Sequence, residues 1–379
     1  MRDLKKTKKR LSDRRSLRKG GNNMAEINLV QKDRIEKDNA HQISECANKR
    51  KMKKRRICNL VAVGVMTGLL AIMVAGCGNG NGDKTAEESR RQTMQEPVTA
   101  STESSTEVAP NAKQDGVDDF TTPQDFLAPQ GERTYGETQT VTYYSATTRS
   151  ERQANVILPV TYNSDTKYPV LYLLHGLGCN HESWGDLGAK YIVQNLHYDQ
   201  DLSEMIIVCP DGLTVANGTE SDMEISEVVT AYDLSIDDMM NDLMPFVNAN
   251  YSTATGRENT AIAGFSMGGR EALYIGFTYP QEFGYVGGFS PAPGVVADSP
   301  ESLLPSLLND FTLPLDIGQF YELYLEVGDE DSGCGPATEN YDRILDEQGI
   351  NHIYHVIPGG HEGSVWQDSL YNFAKRLFQ

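Results

Sequence analysis

Five nearly continuous apolar runs, four to seven residues long, constrain the fold of this 379-residue chain more than any other feature. They fall at 168–174 (YPVLYLL), 205–209 (MIIVC), 260–264 (TAIAG), 324–327 (YLEV) and 352–357 (HIYHVI). A strand with one wet face alternates polar and apolar residues. A run without alternation needs cover on both faces, as in a parallel sheet. Stretches with helical spacing separate the runs. The plainest is 235–248, where Ile236, Met239, Met240, Leu243, Met244 and Val247 recur three and four apart. Residues 270–279, 338–348 and 366–378 are further helix candidates. Two earlier segments, 138–144 and 153–159, read as strands of a hairpin at the sheet edge. Strand and helix in alternation predict an α/β fold: a doubly wound, mostly parallel sheet with helices on both faces, in one domain over 134–379.

The charge is divided. Up to Gly76 there are 20 basic and 7 acidic residues; beyond it there are 14 basic and 46 acidic. An acidic body repels nucleic acid and anionic surfaces, and the basic start has no interleaved aromatics, so no nucleic-acid partner is expected. The start reads as an export signal. Met52-Lys-Lys-Arg-Arg56 is a positive region, 57–76 carries no charge, and Val74-Ala75-Gly76 places small residues before Cys77. Val-Ala-Gly-Cys resembles a bacterial lipobox, which implies cleavage of a lipoprotein signal peptide (52–76) and a lipid on Cys77. The competing reading is an uncleaved membrane span of about 20 apolar residues. Either reading places the domain outside the cytoplasm, tethered to a membrane. Residues 1–51 form a polar basic lead, and translation starting at Met52 or Met24 is the expectation that fits a signal peptide. Residues 77–133, rich in Ser, Thr and Glu, bury too little to fold and read as a disordered stalk. Of six cysteines, Cys179, Cys209 and Cys334 lie in the domain, which permits at most one bridge there. No CxxC pair and no cluster with metal-ligand spacing occurs, so neither metal nor cofactor is expected.

The chemistry concentrates at Gly264-Phe265-Ser266-Met267-Gly268, between an apolar run and a helical stretch. A serine on such a turn is strained and exposed, and the helix start offers free N–H groups to a developing oxyanion. A serine hydroxyl needs a base to become a nucleophile. His361, in Gly359-Gly360-His361-Glu362 after the last strand, is the candidate; His355, within that strand, reads as a packed strand residue. The acid that fixes the imidazole belongs after the preceding strand, where Asp329, Glu330 and Asp331 all stand. The order serine, acid, histidine is that of α/β-hydrolases. The N–H groups of Leu177 and Met267 are the oxyanion-hole candidates, with His175 ordering the Leu177 loop. Trp184 and Trp366, the two tryptophans, fall near these loops and are candidate substrate-binding residues.

The segments KYPVLYLLHGLG (167–178), AIAGFSMGGREAL (261–273), VGDED (327–331) and GGHEGSVWQDSLYNF (359–373) together resemble the esterase family that includes esterase D, feruloyl esterases and acetyl-xylan esterases, the last two in carbohydrate esterase family 1. The resemblance covers about 136–379 in the same order. It implies an α/β-hydrolase with Ser266, Asp331 and His361 as its triad. It favours Asp331 because the family's acid lies in a Gly-x-x-Asp turn, here Gly328-x-x-Asp331. It also implies a serine carboxylesterase that releases feruloyl or acetyl groups from plant cell-wall polysaccharide, a polymer that cannot enter a cell. A siderophore esterase, an acyltransferase on the same fold and a non-catalytic surface binding protein are the alternatives; an intact triad speaks against the last.

Overall fold

The computed structural model describes residues 119–216, 220–297 and 304–379. The lead, the signal segment, Cys77 and the polar stretch up to 118 lie outside the described residues. Eight strands form one sheet: β1 (Thr138–Ser145), β2 (Ser150–Ile157), β3 (Val170–Leu174), β4 (Ile206–Pro210), β5 (Thr260–Phe265), β6 (Tyr285–Phe289), β7 (Glu322–Gly328) and β8 (Ile353–Ile357). Their spatial order is β1-β2-β4-β3-β5-β6-β7-β8. β1 and β2 pair antiparallel as a hairpin, β2 joins β4 antiparallel, and the rest of the sheet is parallel. This is the α/β-hydrolase arrangement. β3 pairs with β4 on one side and β5 on the other, so the strand order reverses at β3. Such a reversal leaves a crevice beyond the carboxyl ends of the strands.

Among the described residues the sheet is flanked by α1 (Ala189–Gln200), α2 (Ile225–Asp233), α3 (Ser235–Asp238), α4 (Met244–Asn250), α5 (Met267–Thr278), α6 (Gly335–Glu347) and α7 (Gly363–Ala374). A π-turn, Met239–Leu243, joins α3 to α4. The period of two along each strand divides the core. Val170, Tyr172 and Leu174 of β3 pack with Ile236, Met239, Leu243, Met244 and Val247. Leu171 and Leu173 turn to the opposite face, against Ile192, Val193 and Leu196 of α1 and Leu370 and Phe373 of α7. The helical face expected over 235–248 is thus buried, and the apolar runs are strands covered on both sides. β6 (YVGGF) did not show as a run because two of its five residues are glycines. An ion pair fastens the edge hairpin. Arg152 of β2 meets Asp238 of α3 at 3.1 Å, with both side chains 4% exposed, and the Tyr143 hydroxyl donates to the same carboxylate at 2.5 Å.

The packed structure begins earlier than 134. Residues 119–133, expected within the stalk, lie against α1 and α7. Phe126 is 6% exposed, edge-on to Tyr371. Asn195 donates to the carbonyls of Phe126 and Ala128, and Asn372 donates to that of Phe120. Composition hid this because two phenylalanines and a leucine suffice to anchor the stretch once α1 and α7 offer buried amides. No disulfide joins any two of Cys179, Cys209 and Cys334. Among the described residues no helix is long and apolar enough to cross a membrane.

Truncating Phe126 leaves a cavity between α1 and α7. Phe126→Ala is expected to cost about 3 kcal/mol, read as a lower urea midpoint at unchanged slope. An unchanged midpoint would show that 119–133 contributes nothing to the domain.

Candidate active site

β5 ends at Phe265 and α5 begins at Met267, so Ser266 makes the turn alone. Its backbone sits at φ 56°, ψ −122°, a conformation that costs on the order of 1–3 kcal/mol for a residue with a side chain. Three hydrogen bonds hold it there. The Ser266 N–H donates to the Phe289 carbonyl at 3.0 Å, and the Ser266 carbonyl accepts from Ala292 at 2.9 Å and Arg270 at 3.0 Å. The flanking glycines let the backbones close in. A Cβ on Gly268 would lie 2.4 Å from the Leu174 carbonyl oxygen, and one on Gly264 would lie 2.4 Å from the oxygen of Gly268.

His361 stands on the loop between β8 and α7. Its Nδ1 donates to Asp331 Oδ2 at 2.7 Å, which leaves Nε2 to accept from Ser266 Oγ at 2.9 Å. Asp331 is 4% exposed and also accepts from the N–H groups of Cys334 (2.9 Å) and Gly333 (3.2 Å). Burial alone would raise its pKa. The hydrogen bond and charge of His361 and the Cys334 N–H outweigh burial and hold the carboxyl below its ordinary value. The neighbouring acids are used otherwise. Asp329 accepts from the Gly359 N–H at 3.0 Å and so braces the histidine loop, while the Glu330 side chain is exposed.

The loop after β3 lies on the serine: a Cβ on Gly176 would meet Ser266 Cβ at 2.9 Å. His175, 1% exposed, orders it. Nε2 accepts from the Gly212 N–H at 2.7 Å, so the ring proton sits on Nδ1 and donates to the Gly176 carbonyl at 2.8 Å. The Tyr232 hydroxyl is 3.0 Å from that carbonyl and 2.7 Å from Glu220. Leu177 and Met267 follow directly on the two segments that meet here. Neither of their N–H groups has a protein acceptor among the described residues.

Trp184 does not line a substrate slot. Trp184 is 1% exposed, donates to the Leu174 carbonyl at 3.0 Å and stands edge-on to Phe265 and Phe289. Its chain segment does return towards the site, but the short helix at Ser183–Asp186 turns the indole into the core beneath it. Trp366 is half-buried: it stacks on Phe265 (4.1 Å, 13°) and stands nearly perpendicular to the His361 ring at 5.2 Å. A largely aliphatic group lies beside Met267 and Cys334. Half-buried Leu177, Leu213, Met223 and Leu304 pack on Met267, Ala292, Val228, Tyr232 and Cys334. Sequence reading missed this group because its members sit singly in loops without periodicity.

His355 is the packed strand residue expected of it. Nδ1 is 2.8 Å from Glu326, a fully buried carboxylate that also accepts from Ser369 and Tyr324, and Phe120 stacks on the ring. Two groups bring candidate ligand atoms within 4.8 Å of one another: Asp331, Cys334 and His361, and Glu326, His355 and Asp368. In the first, Asp331 and His361 hold each other, and burial followed by the Asp331 charge pushes the Cys334 thiol well up. In the second, both Glu326 oxygens accept from protein donors.

The family model described as Putative esterase matches residues 145–305. An endo-1,4-β-xylanase/feruloyl esterase of Xylanibacter ruminicola is 36% identical over 172 residues, which are 43% of this chain and 23% of that protein. An esterase of Mycobacterium tuberculosis is 31% identical over 132 residues, 34% of this chain and 26% of that one. The matches thus span about a quarter of these two relatives' length. The solved carbohydrate esterase family 1 ferulic acid esterase of the anaerobic fungus Anaeromyces mucronatus covers more. It is 35% identical, with a TM-score of 0.63 over 69% of this chain and 97% of its own. A chain that matches nearly the whole of that enzyme, in sequence and in fold, belongs to the esterase family, among the serine carboxylesterases of the feruloyl esterase type.

Proposed function

We propose that the chain hydrolyses carboxylic esters of plant cell-wall polysaccharide, with Ser266, His361 and Asp331 as its triad and feruloyl esters as preferred substrates. The observation that carries the reading is the unbroken hydrogen-bond chain Ser266–His361–Asp331 behind a serine in a strained turn. Ser266 Oγ attacks the ester carbonyl while His361 Nε2 takes its proton. The carbonyl oxygen becomes an oxyanion that accepts from the N–H groups of Leu177 and Met267. His361 returns the proton to the departing sugar hydroxyl, leaving an acyl-serine. Water then repeats the sequence: His361 takes its proton, the hydroxide adds to the acyl carbon, and the acid leaves as Ser266 recovers its hydrogen. Asp331, ionised and buried, keeps the imidazole proton on Nδ1 and offsets the transient imidazolium.

Two observations support the substrate class. Two of the relatives carry feruloyl esterase and ferulic acid esterase in their names. The wall of Leu177, Leu213, Met223 and Leu304 offers a flat ring aliphatic surface beside the nucleophile. Anchoring fits a polymeric substrate: we propose a lipid on Cys77 that holds the domain outside the membrane.

Asp331→Asn is expected to lower kcat by about 10⁴ through loss of the productive tautomer. Asp329→Asn, which loosens a loop contact, should cost much less; the reverse ranking would hand the role to Asp329. Side-by-side hydrolysis of methyl ferulate, acetylated xylan and p-nitrophenyl acetate tests the acyl class. The highest kcat/KM is expected for methyl ferulate, and a higher value on acetylated xylan would replace the feruloyl reading with an acetyl-xylan one. Radiolabelled palmitate should enter the unaltered protein and not Cys77→Ser; equal labelling would dispose of the lipid anchor.

A further inference from the structure

Arg270 lies one helical turn beyond the nucleophile, and its side chain is fully buried. Its N–H already donates to the Ser266 carbonyl. The guanidinium spreads over three segments. Nη1 donates to Asp233, and to Glu271 at 2.6 Å, while Nη2 donates to the Pro305 carbonyl at 3.1 Å. Asp233 is the last residue of α2, the helix that sends Val228 and Tyr232 into the aliphatic group beside the triad. Pro305 follows Leu304, which joins that group from another segment. Gly294 sits between them at φ 94°. A Cβ there would meet the Pro305 oxygen at 2.9 Å, Leu304 Cβ at 3.0 Å and Arg270 Nε at 3.3 Å.

We propose that Arg270 is a positioning residue that sets the width of the acyl slot by fastening two of its walls, α2 and the Leu304–Pro305 segment, to the helix that carries the serine. The inference rests on the acyl-slot reading given above. The chemistry of the side chain fits the task. A guanidinium presents several donors in one rigid plane, so three acceptors on three segments are held at fixed spacing. A lysine ammonium is a single point on a flexible stem and would leave at least one acceptor short. Burial, opposed by Arg270, pushes the Glu271 carboxyl up to about 8. The α2 arm is an ion pair to Asp233 while the other arm ends on a neutral carbonyl, which makes the α2 arm the stronger of the two. Sequence alone gave no sign of the role: an arginine in a helix after a nucleophile reads as surface charge.

The test separates slot width from chemistry. Arg270→Lys removes the fork outright. Asp233→Asn, at a side chain 20% exposed, weakens only the α2 arm and is the variant to rely on if the first does not fold. Each is compared with the unaltered enzyme on p-nitrophenyl acetate, butyrate and octanoate and on methyl ferulate, with thermal unfolding as the control for folding. The expected result for Asp233→Asn is a rise of about tenfold in KM for octanoate and methyl ferulate, the size of one charge-assisted hydrogen bond lost. The kcat and KM for acetate should stay within about twofold, since a change in KM at constant kcat marks binding shared by ground and transition states. An equal fall in kcat for all esters would show that Arg270 supports the nucleophile rather than the slot. No change on any ester would also overturn the proposal. If the unaltered enzyme does not hydrolyse methyl ferulate, the feruloyl reading fails on its own, and the chain-length series still decides the role of Arg270.

Discussion

Everything at the site depends on how closely three backbones approach at the carboxyl ends of β3 and β5. Leu174, Gly264 and Gly268 stand where no side chain fits between them. That contact bends the chain sharply enough to put Ser266 at positive φ, and it brings the loop after β3 onto the serine. The strain does not relax because the sheet and the Phe289 and Ala292 hydrogen bonds over-determine the turn. A softer turn would leave Ser266 Oγ free to rotate away from His361, and the hydrogen-bond chain to Asp331 would lose its first member.

The support behind the turn is layered. His175 and Tyr232 address the carbonyl of Gly176, and the N–H that follows has no protein acceptor among the described residues. Asp329 braces the backbone of Gly359 while Asp331 addresses the ring of His361. The two aspartates, two residues apart on one turn, divide the work. One fixes where the histidine loop lies, the other fixes how the imidazole is turned. Arg152 extends the same logic to the rim: besides its ion pair it donates to the carbonyls of Asp211 and Leu213, so the edge hairpin helps hold the loop that presents Leu213.

Much of this was legible in the sequence, for identifiable reasons. Buried parallel strands must be continuous apolar runs, so most of the sheet could be placed; β6 escaped because two glycines diluted it. Ser266 and His361 stood out because their loops need glycines at fixed offsets. Spacing alone could not choose among Asp329, Glu330 and Asp331, since all three follow the same strand and only the folded turn decides which side chain reaches the ring. Trp184 was misjudged because proximity in sequence to a site says nothing about which way an indole points. Residues 119–133 were misjudged because their docking depends on amides of α1 and α7 that lie far along the chain. The aliphatic group beside Met267 and the Arg270 fork are products of tertiary contact and leave no periodic trace.

The packing of Phe265 has a spectroscopic consequence. The chain contains two tryptophans, and both indoles touch this one ring, Trp184 at its edge and Trp366 on its face, with Trp366 also against His361. An imidazolium quenches indole emission more strongly than a neutral imidazole does. The tryptophan emission of this protein therefore comes from rings packed on Phe265, next to Ser266, and the Trp366 part of that light is an optical readout of the charge on His361.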